Sequence, residues 1–173
     1  MMIRYTALLI CVSALLFSSC RQQMKMVKTP AADSVAVSAV WKQYVKGLSS
    51  KNVRILKRLS LTQVYCQPCA IQLGTDNDLV TADAFIKNML HTLPKTKLWA
   101  AIKSNRQRIL TERIKNYHPQ NLKLNDDAVL ELYDVWYVTP EADKIKGFDS
   151  QRYAFQFVKE GGQYRFFGLT VVK

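Results

Sequence analysis

The chain has 173 residues, 49% of them hydrophobic, and it contains no internal repeat or low-complexity stretch. These properties exclude a repeat protein and are those of one folded domain with an ordinary hydrophobic core. The 25 basic residues outnumber the 13 acidic ones and set the net charge at +12. Such a charge favours anionic partners through long-range attraction.

The first twenty residues have the pattern of an export signal. Arg4 supplies positive charge, residues 5–17 form an apolar run, and Phe17-Ser18-Ser19-Cys20 stands where a cleavage box is expected. The run is well short of the roughly 20 residues that a membrane-spanning helix needs. We therefore predict no transmembrane anchor.

The box resembles the bacterial lipoprotein signal, in which a small residue precedes a cysteine that becomes acylated. Ser19 matches this pattern, whereas Phe17 stands where leucine is usual. The resemblance implies that residues 1–19 are a signal peptide and that Cys20 becomes the lipidated N-terminus of the mature chain. Cleavage by an ordinary signal peptidase is the alternative.

The residues after the cysteine bear on the destination. Arg21 is not the aspartate that often retains lipoproteins at the inner membrane, and residues 21–25 lack the acidic run that can mark surface export. The resemblance therefore implies attachment to the outer membrane of the cell envelope, facing the periplasm. Export makes a nucleic-acid partner unexpected, and envelope anions or a partner protein take its place.

Positive charge is concentrated in two stretches. Without its leader the chain keeps 24 basic and 13 acidic residues, a net charge of +11. The stretches comprise Lys42, Lys46, Lys51, Arg54, Lys57 and Arg58, then Lys95, Lys97, Lys103, Arg106, Arg108, Arg113 and Lys115. They predict basic helical faces that bind an anionic envelope component; solvated faces without a partner are the alternative.

The region after Cys20 has no periodicity. Residues 20–32 are predicted to be a lipidated tether, and residues 33–173 a single domain. Asp33 or Ser34 is the expected N-cap of a first helix, whose apolar residues repeat at intervals of three and four.

Two further helices have cap signals. Asn52 is the expected N-cap of a short second helix that forms a hairpin with the first, and Thr81 that of a third. Pro94 is expected to end the third helix. Residues 98–117 fit both helix and strand periodicity, and we predict a short helix followed by a strand.

The C-terminal third favours strands. Residues 128–138 are rich in β-branched and aromatic side chains, and residues 152–159 and 163–172 flank Gly161-Gly162 as a hairpin. Helices first and strands last predict an α+β fold in which N-terminal helices pack on a curled antiparallel sheet.

This order and the closing hairpin resemble a known superfamily. The hairpin reads Tyr153-Ala154-Phe155-Gln156-Phe157-Val158-Lys159, then Gly162-Gln163-Tyr164-Arg165-Phe166-Phe167-Gly168. The pattern is similar to the cystatin-like cone of the ketosteroid-isomerase and SnoaL-like superfamily, and to uncharacterised envelope lipoproteins with that fold. The resemblance implies a curled sheet that can enclose an apolar pocket, in a superfamily with many non-catalytic members.

Cys66-Gln67-Pro68-Cys69 is the sharpest short motif. Once the leader is removed and Cys20 is acylated, Cys66 and Cys69 are the two remaining cysteines of a chain in an oxidising compartment. They are therefore predicted to form a disulfide that pins the loop after the second helix. A thiol-disulfide function is the alternative, but it needs a buried strand before Cys66 and a long helix after Cys69, and neither is predicted. Zinc would need two more ligands, and we predict no metal and no cofactor.

One carboxylate interrupts an apolar row. Alternation in the strand at 128–138 places Leu130, Leu132, Asp134, Trp136 and Val138 on one face. Asp134 and Trp136 are therefore candidate walls of a ligand pocket, although Asp134 can equally pair with a lysine or arginine or lie near an open end of the sheet. No residue is predicted to be catalytic.

Three hypotheses follow, in order. The first is a non-catalytic lipoprotein that binds an anionic envelope component or partner protein. The second is a pocket domain for a small apolar molecule. The third is a thiol-disulfide protein that uses Cys66 and Cys69.

Overall fold

A computed structural model describes residues 25–125 and 128–172. The elements in chain order are β1 (Lys25–Lys28), α1 (Ala31–Ser49), α2 (Val53–Arg58), β2 (Ser60–Cys66), α3 (Gln67–Leu73), β3 (Leu79–Thr81), α4 (Ala82–Thr92), a 3₁₀ turn (Leu93–Lys95), α5 (Lys97–Lys103), β4 (Arg108–Lys115), β5 (Val129–Val138), β6 (Arg152–Glu160) and β7 (Gln163–Val172). Among the described helices, none combines the length and apolar character of a membrane-spanning segment.

The seven strands form one curled, open sheet in the order β1-β4-β5-β6-β7-β2-β3. All neighbours are antiparallel except β2 and β7, which run parallel. The predicted α+β class, with helices packed on a curled and mostly antiparallel sheet, is confirmed.

Two of the three predicted helix caps are correct. The Asn52 side chain accepts a hydrogen bond from the backbone N–H of Ile55 at 3.1 Å, and Thr81 caps α4 in the same way. The predicted caps of α1 are wrong: the helix begins at Ala31 after Pro30, without a side-chain cap. Asp33 instead accepts a hydrogen bond from the hydroxyl of Tyr164 on β7 and ties α1 to the sheet.

Four short elements were not predicted. Lys25–Lys28 forms the edge strand β1 inside the segment expected to be a tether, because its backbone pairs with β4. Between the second and third predicted helices lie β2, α3 and β3. The predicted closing hairpin is present, and its two-residue turn places Gly161 and Gly162 at φ +55° and +78°, which glycine tolerates best.

The main core lies between the helices and one face of the sheet. Trp41 of α1 is 1% exposed, and its ring centroid lies 4.6 Å from that of Phe155 on β6. Tyr44, one turn later, packs against Phe166 on β7 at 4.9 Å. Aromatic side chains from helix and sheet therefore fill this face, and each such ring buries a large apolar area.

Candidate ligand pocket

The alternation of β5 assigns its side chains to two faces. Tyr133, Val135 and Tyr137 point toward the helices, and the indole N–H of Trp41 donates to the hydroxyl of Tyr137 at 2.8 Å. Asp134 and Trp136 therefore lie on the opposite face, as the sequence predicted. We call this second surface the open face of the sheet.

The open face carries a pocket of about 550 Å³. Its walls come from β1, β2, β4, β5, β6, β7 and the loops that contain Tyr117 and Asp78: Met26, Tyr65, Asp78, Glu112, Ile114, Tyr117, Leu132, Asp134, Trp136, Ala154, Gln156, Phe167, Thr170, Val171 and Val172. Apolar and aromatic walls with a few polar groups are typical of small-molecule sites of this size. The two predicted pocket residues are therefore brought together in one cavity.

The loop between β4 and β5 extends across the sheet to β2. The Gln120 backbone N–H donates to the Tyr65 hydroxyl at 3.2 Å, and the Asn121 amide donates to the Gln63 carbonyl at 2.9 Å. Two strands, β6 and β7, separate β5 from β2 in the sheet order. The loop thus contacts a strand that is not a neighbour of either strand it connects, and it brings Tyr117 into the pocket wall.

Asp134 is the most deeply buried polar group of the pocket, at 1% exposure. Its carboxylate accepts a hydrogen bond from the Gln156 amide at 3.2 Å, and the Gln156 carbonyl accepts one from the Thr170 hydroxyl at 3.0 Å. This chain orients the amide so that its N–H₂ group faces the carboxylate. Within the described residues, no lysine or arginine forms an ion pair with Asp134, so the paired alternative is not found.

The environment of Asp134 favours its neutral form. Burial raises the pKa of Asp134 to about 7, and the negative charge of Glu112 adds to the increase. The Gln156 amide and the nearby Trp136 indole act in the opposite direction. A carboxyl group with a pKa near neutral exchanges its proton at ordinary pH, which suits either proton transfer or recognition of a charged ligand.

Glu112 is a second buried carboxyl group on this face. It pairs in register with Leu132 of β5, two residues from Asp134, and is 9% exposed. Burial raises the pKa of Glu112 above its ordinary value. Glu112 was not predicted from the sequence, because its place beside Asp134 depends on the register between β4 and β5.

Trp136 contributes an unsatisfied donor. Its indole N–H is buried and lies near the Asp134 carboxyl group, but it makes no hydrogen bond of ordinary geometry within the described part of the chain. A buried N–H without a partner costs free energy, about 1–3 kcal/mol in typical cases. Such a group in a pocket wall is available to an acceptor atom on a ligand.

Gln156 and Thr170 were also missed, although a local signal marks Gln156. It is the polar residue between Phe155 and Phe157 in β6, so alternation places it away from the aromatic core. The same rule that identified Asp134 identifies Gln156.

Cys66 and Cys69 are joined by a disulfide, as predicted. The bond links the end of β2 to the first turn of α3, rather than pinning a loop after the second helix. A strand does precede the motif, contrary to the prediction, whereas the helix that follows, α3, has only seven residues and is not the long helix of a thioredoxin-like site. The two cysteines are 0% and 3% exposed, which favours a structural role because thiol-disulfide exchange needs access to sulfur.

The other candidate residues are dispersed. Lys42, Lys46, Lys51, Arg54 and Arg58 are exposed on α1, α2 and their connection, while Lys57 pairs with Asp83 at 2.9 Å. Within the ranges 25–125 and 128–172, no group of histidine, cysteine and acidic residues is placed to hold a metal ion. Cys20 and the predicted signal peptide lie outside the described residues.

No protein-family model matches this chain, and neither does any curated protein sequence. Functional inference therefore rests on the geometry of the pocket and the charge distribution.

Proposed function

We propose that this protein binds a small, largely apolar molecule in the pocket on the open face of the sheet. The observation that carries the proposal is the buried carboxyl group of Asp134 in the wall of a 550 Å³ cavity, with no ion-pair partner in the described residues. A desolvated carboxyl group is costly unless it is paired. Its position in a cavity, rather than in a packed core, favours a role toward a ligand.

The pocket changes the order of the sequence hypotheses. Binding of an anionic component ranked first there, yet the pocket on the open face has acidic and apolar walls. We propose binding rather than catalysis, since proton transfer alone would not define a reaction without further groups in stated roles. The resemblance to the SnoaL-like superfamily remains part of this proposal.

Occupation of the pocket can be tested with a neutral, solvent-sensitive dye. We expect Nile red to bind the full-length protein and to gain fluorescence as it enters the apolar cavity. Thr170→Phe places a ring in the cavity and is expected to lower dye affinity about tenfold or more, by occupying ligand volume.

Thr62→Phe is the matched control, because it makes the same change at an exposed position of β2. Equal dye binding by the two variants, with circular dichroism spectra like the wild type, would contradict the proposal. Fluorescence titration gives both affinities.

A second candidate function is electrostatic docking to an anionic surface. The exposed basic residues of α1 and α2 favour it. Lys42 and Lys46 stand one turn apart on α1 and make no ion pair in the described part of the chain. Exposed charges are screened over roughly 8 Å at physiological salt. Binding through them should therefore weaken steeply as salt is added.

Sedimentation with phosphatidylglycerol vesicles tests this candidate. The full-length Cys20→Ser protein avoids an acyl chain, and Lys42→Glu/Lys46→Glu in that background should abolish sedimentation. Lys144→Glu/Lys146→Glu is the control, with the same change in net charge at two exposed loop residues. If both double variants lose binding equally, only net charge matters and the helical residues have no special role.

We also propose that Cys20 carries the lipid and holds the domain at the outer membrane, facing the periplasm. The leader pattern and the cysteine at its end support this assignment. Radiolabelled palmitate should enter the wild-type protein and not the Cys20→Ser variant. Labelling of both would refute lipidation at Cys20, and fractionation of the labelled protein reports the membrane.

A further inference from the structure

We infer that the pocket selects a molecule with an apolar body and a protonated amine, with the ammonium group held between Asp134 and Glu112. The inference rests on the proposed binding function and names the ligand class. Its basis is a contrast between the pocket and the rest of the chain.

The first observation is the sign of the charge. The chain contains 25 lysines and arginines and only 13 acidic residues. Among residues 25–125 and 128–172, the pocket wall nevertheless includes three acidic residues, Asp78, Glu112 and Asp134, and no lysine, arginine or histidine. A site so depleted in positive charge, on a chain so rich in it, disfavours an anionic ligand and favours a cation.

The second observation is the incomplete pairing of the two central carboxyl groups. Asp134 accepts one hydrogen bond, from Gln156, and Glu112 takes part in no salt bridge within the described residues. An ionised carboxylate has room for about four hydrogen bonds. An ammonium group brings three donors and a positive charge, which relieves both the missing bonds and the repulsion between the carboxylates.

The third observation is the character of the remaining walls. Tyr65, Tyr117, Trp136 and Phe167 contribute aromatic rings to the pocket. Aromatic faces attract cations and bury apolar groups, so they suit an ammonium attached to a hydrocarbon body. The unpartnered indole N–H of Trp136 is available to an acceptor atom of the same ligand.

The positive charge elsewhere does not cancel this preference. Basic residues that occupy the open face by register include Lys28, Arg108 and Arg152, which are exposed, and Arg165, which pairs with Glu160; none of them is in the pocket wall. Exposed charges are screened over roughly 8 Å in physiological salt, whereas buried carboxylates in contact with a ligand are screened much less. The groups in contact with the ligand therefore decide whether a positively or a negatively charged ligand is favoured.

The test uses three probes that share one hydrocarbon chain: octylamine, octanol and octanoate. Each competes with Nile red for the full-length protein at about pH 8.5. At this pH most Asp134 carboxyl groups are ionised. We expect octylamine to bind about tenfold or more tightly than octanol, and octanoate to bind weakest. Asp134→Asn should remove the preference for the amine, so that octylamine and octanol bind this variant with similar affinities.

Titration by pH adds a second readout. The groups that share the pocket with Asp134 are Glu112 from β4, Asp78 and Tyr117 from the loops, and Tyr65 from β2. Octylamine keeps its charge over this range, so its affinity should rise about tenfold or more from about pH 5.5 to pH 8.5 as Asp134 ionises. Octanol affinity should not follow this curve.

The outcomes separate the two proposals. Equal affinity for octylamine and octanol would overturn the inference and leave the binding function intact. An amine preference that survives in Asp134→Asn and in Glu112→Gln would also overturn it, because the amine would then bind elsewhere. If Nile red and all three probes fail to bind the wild type, the proposed function itself is wrong.

Discussion

The two faces of the sheet differ in whether their buried polar groups have hydrogen-bond partners. On the helix-covered face, the polar group of a large aromatic residue is satisfied: the Trp41 indole N–H donates to Tyr137. On the open face, the Trp136 indole N–H is buried without a described partner, and Asp134 has one hydrogen bond. Buried polar groups in proteins are normally satisfied, and exceptions concentrate where function requires them. One face is therefore a packed core that stabilises the fold, and the other holds the incompletely bonded polar groups on which the proposed ligand site depends.

Truncating the helix-covered face should have the largest effect. Phe155 is 0% exposed and packs against Trp41, so Phe155→Ala removes a buried ring and leaves a cavity. We expect a loss of about 3–5 kcal/mol in the free energy of unfolding, measured by urea denaturation. Val138→Ala is the control, because Val138 is 67% exposed, and should cost less than about 0.5 kcal/mol. A similar small cost for both would contradict the division of faces.

Removing the charge of Asp134 should stabilise the protein, in contrast to the first change. The pKa of Asp134 is raised from 3.8 to about 7, so the folded state retains a proton that the unfolded state has lost between these values. The stability contribution is complete below about pH 4 and is lost as pH rises through about 7. In Asp134→Asn that fall should be absent, leaving the variant about 2–4 kcal/mol more stable at about pH 8.

Denaturation at a series of pH values measures this difference. Asp83→Asn is a suitable control, since Asp83 is an exposed carboxylate that pairs with Lys57 on the surface. If the stability of the wild type does not fall between about pH 4 and pH 8 relative to Asp134→Asn, then ionisation of Asp134 does not destabilise the folded state.

The disulfide should have the smallest of the three effects, which it exerts by constraining the unfolded chain. It closes a ring of four residues, for which the chain-entropy relation gives about 2 kcal/mol. Cys66→Ala/Cys69→Ala should lose about this amount in urea denaturation and should still bind Nile red. Reduced wild-type protein provides the comparison without a mutation, and loss of dye binding in the double variant would link the disulfide to the pocket.

Local rules predicted much of the fold. The caps at Asn52 and Thr81 are correct because a cap depends on contacts within one helical turn. The position of Asp134 on the face with Trp136 is correct because alternation is a property of the strand itself. The three shortest strands were missed, since β1 has four residues and exists by pairing with β4.

The sequence by itself determined the α+β class, the α2, α4 and hairpin elements and the face that carries Asp134, because each follows from short-range periodicity, capping or turn chemistry. Only the tertiary structure decided that Glu112 lies near Asp134, that the β4–β5 loop reaches Tyr65, and that the cavity lies opposite the helices. Those facts depend on strand register and on a loop that contacts a strand over fifty residues away in sequence. Contacts of that range leave no pattern in adjacent residues, so only the folded chain shows which residues form the pocket.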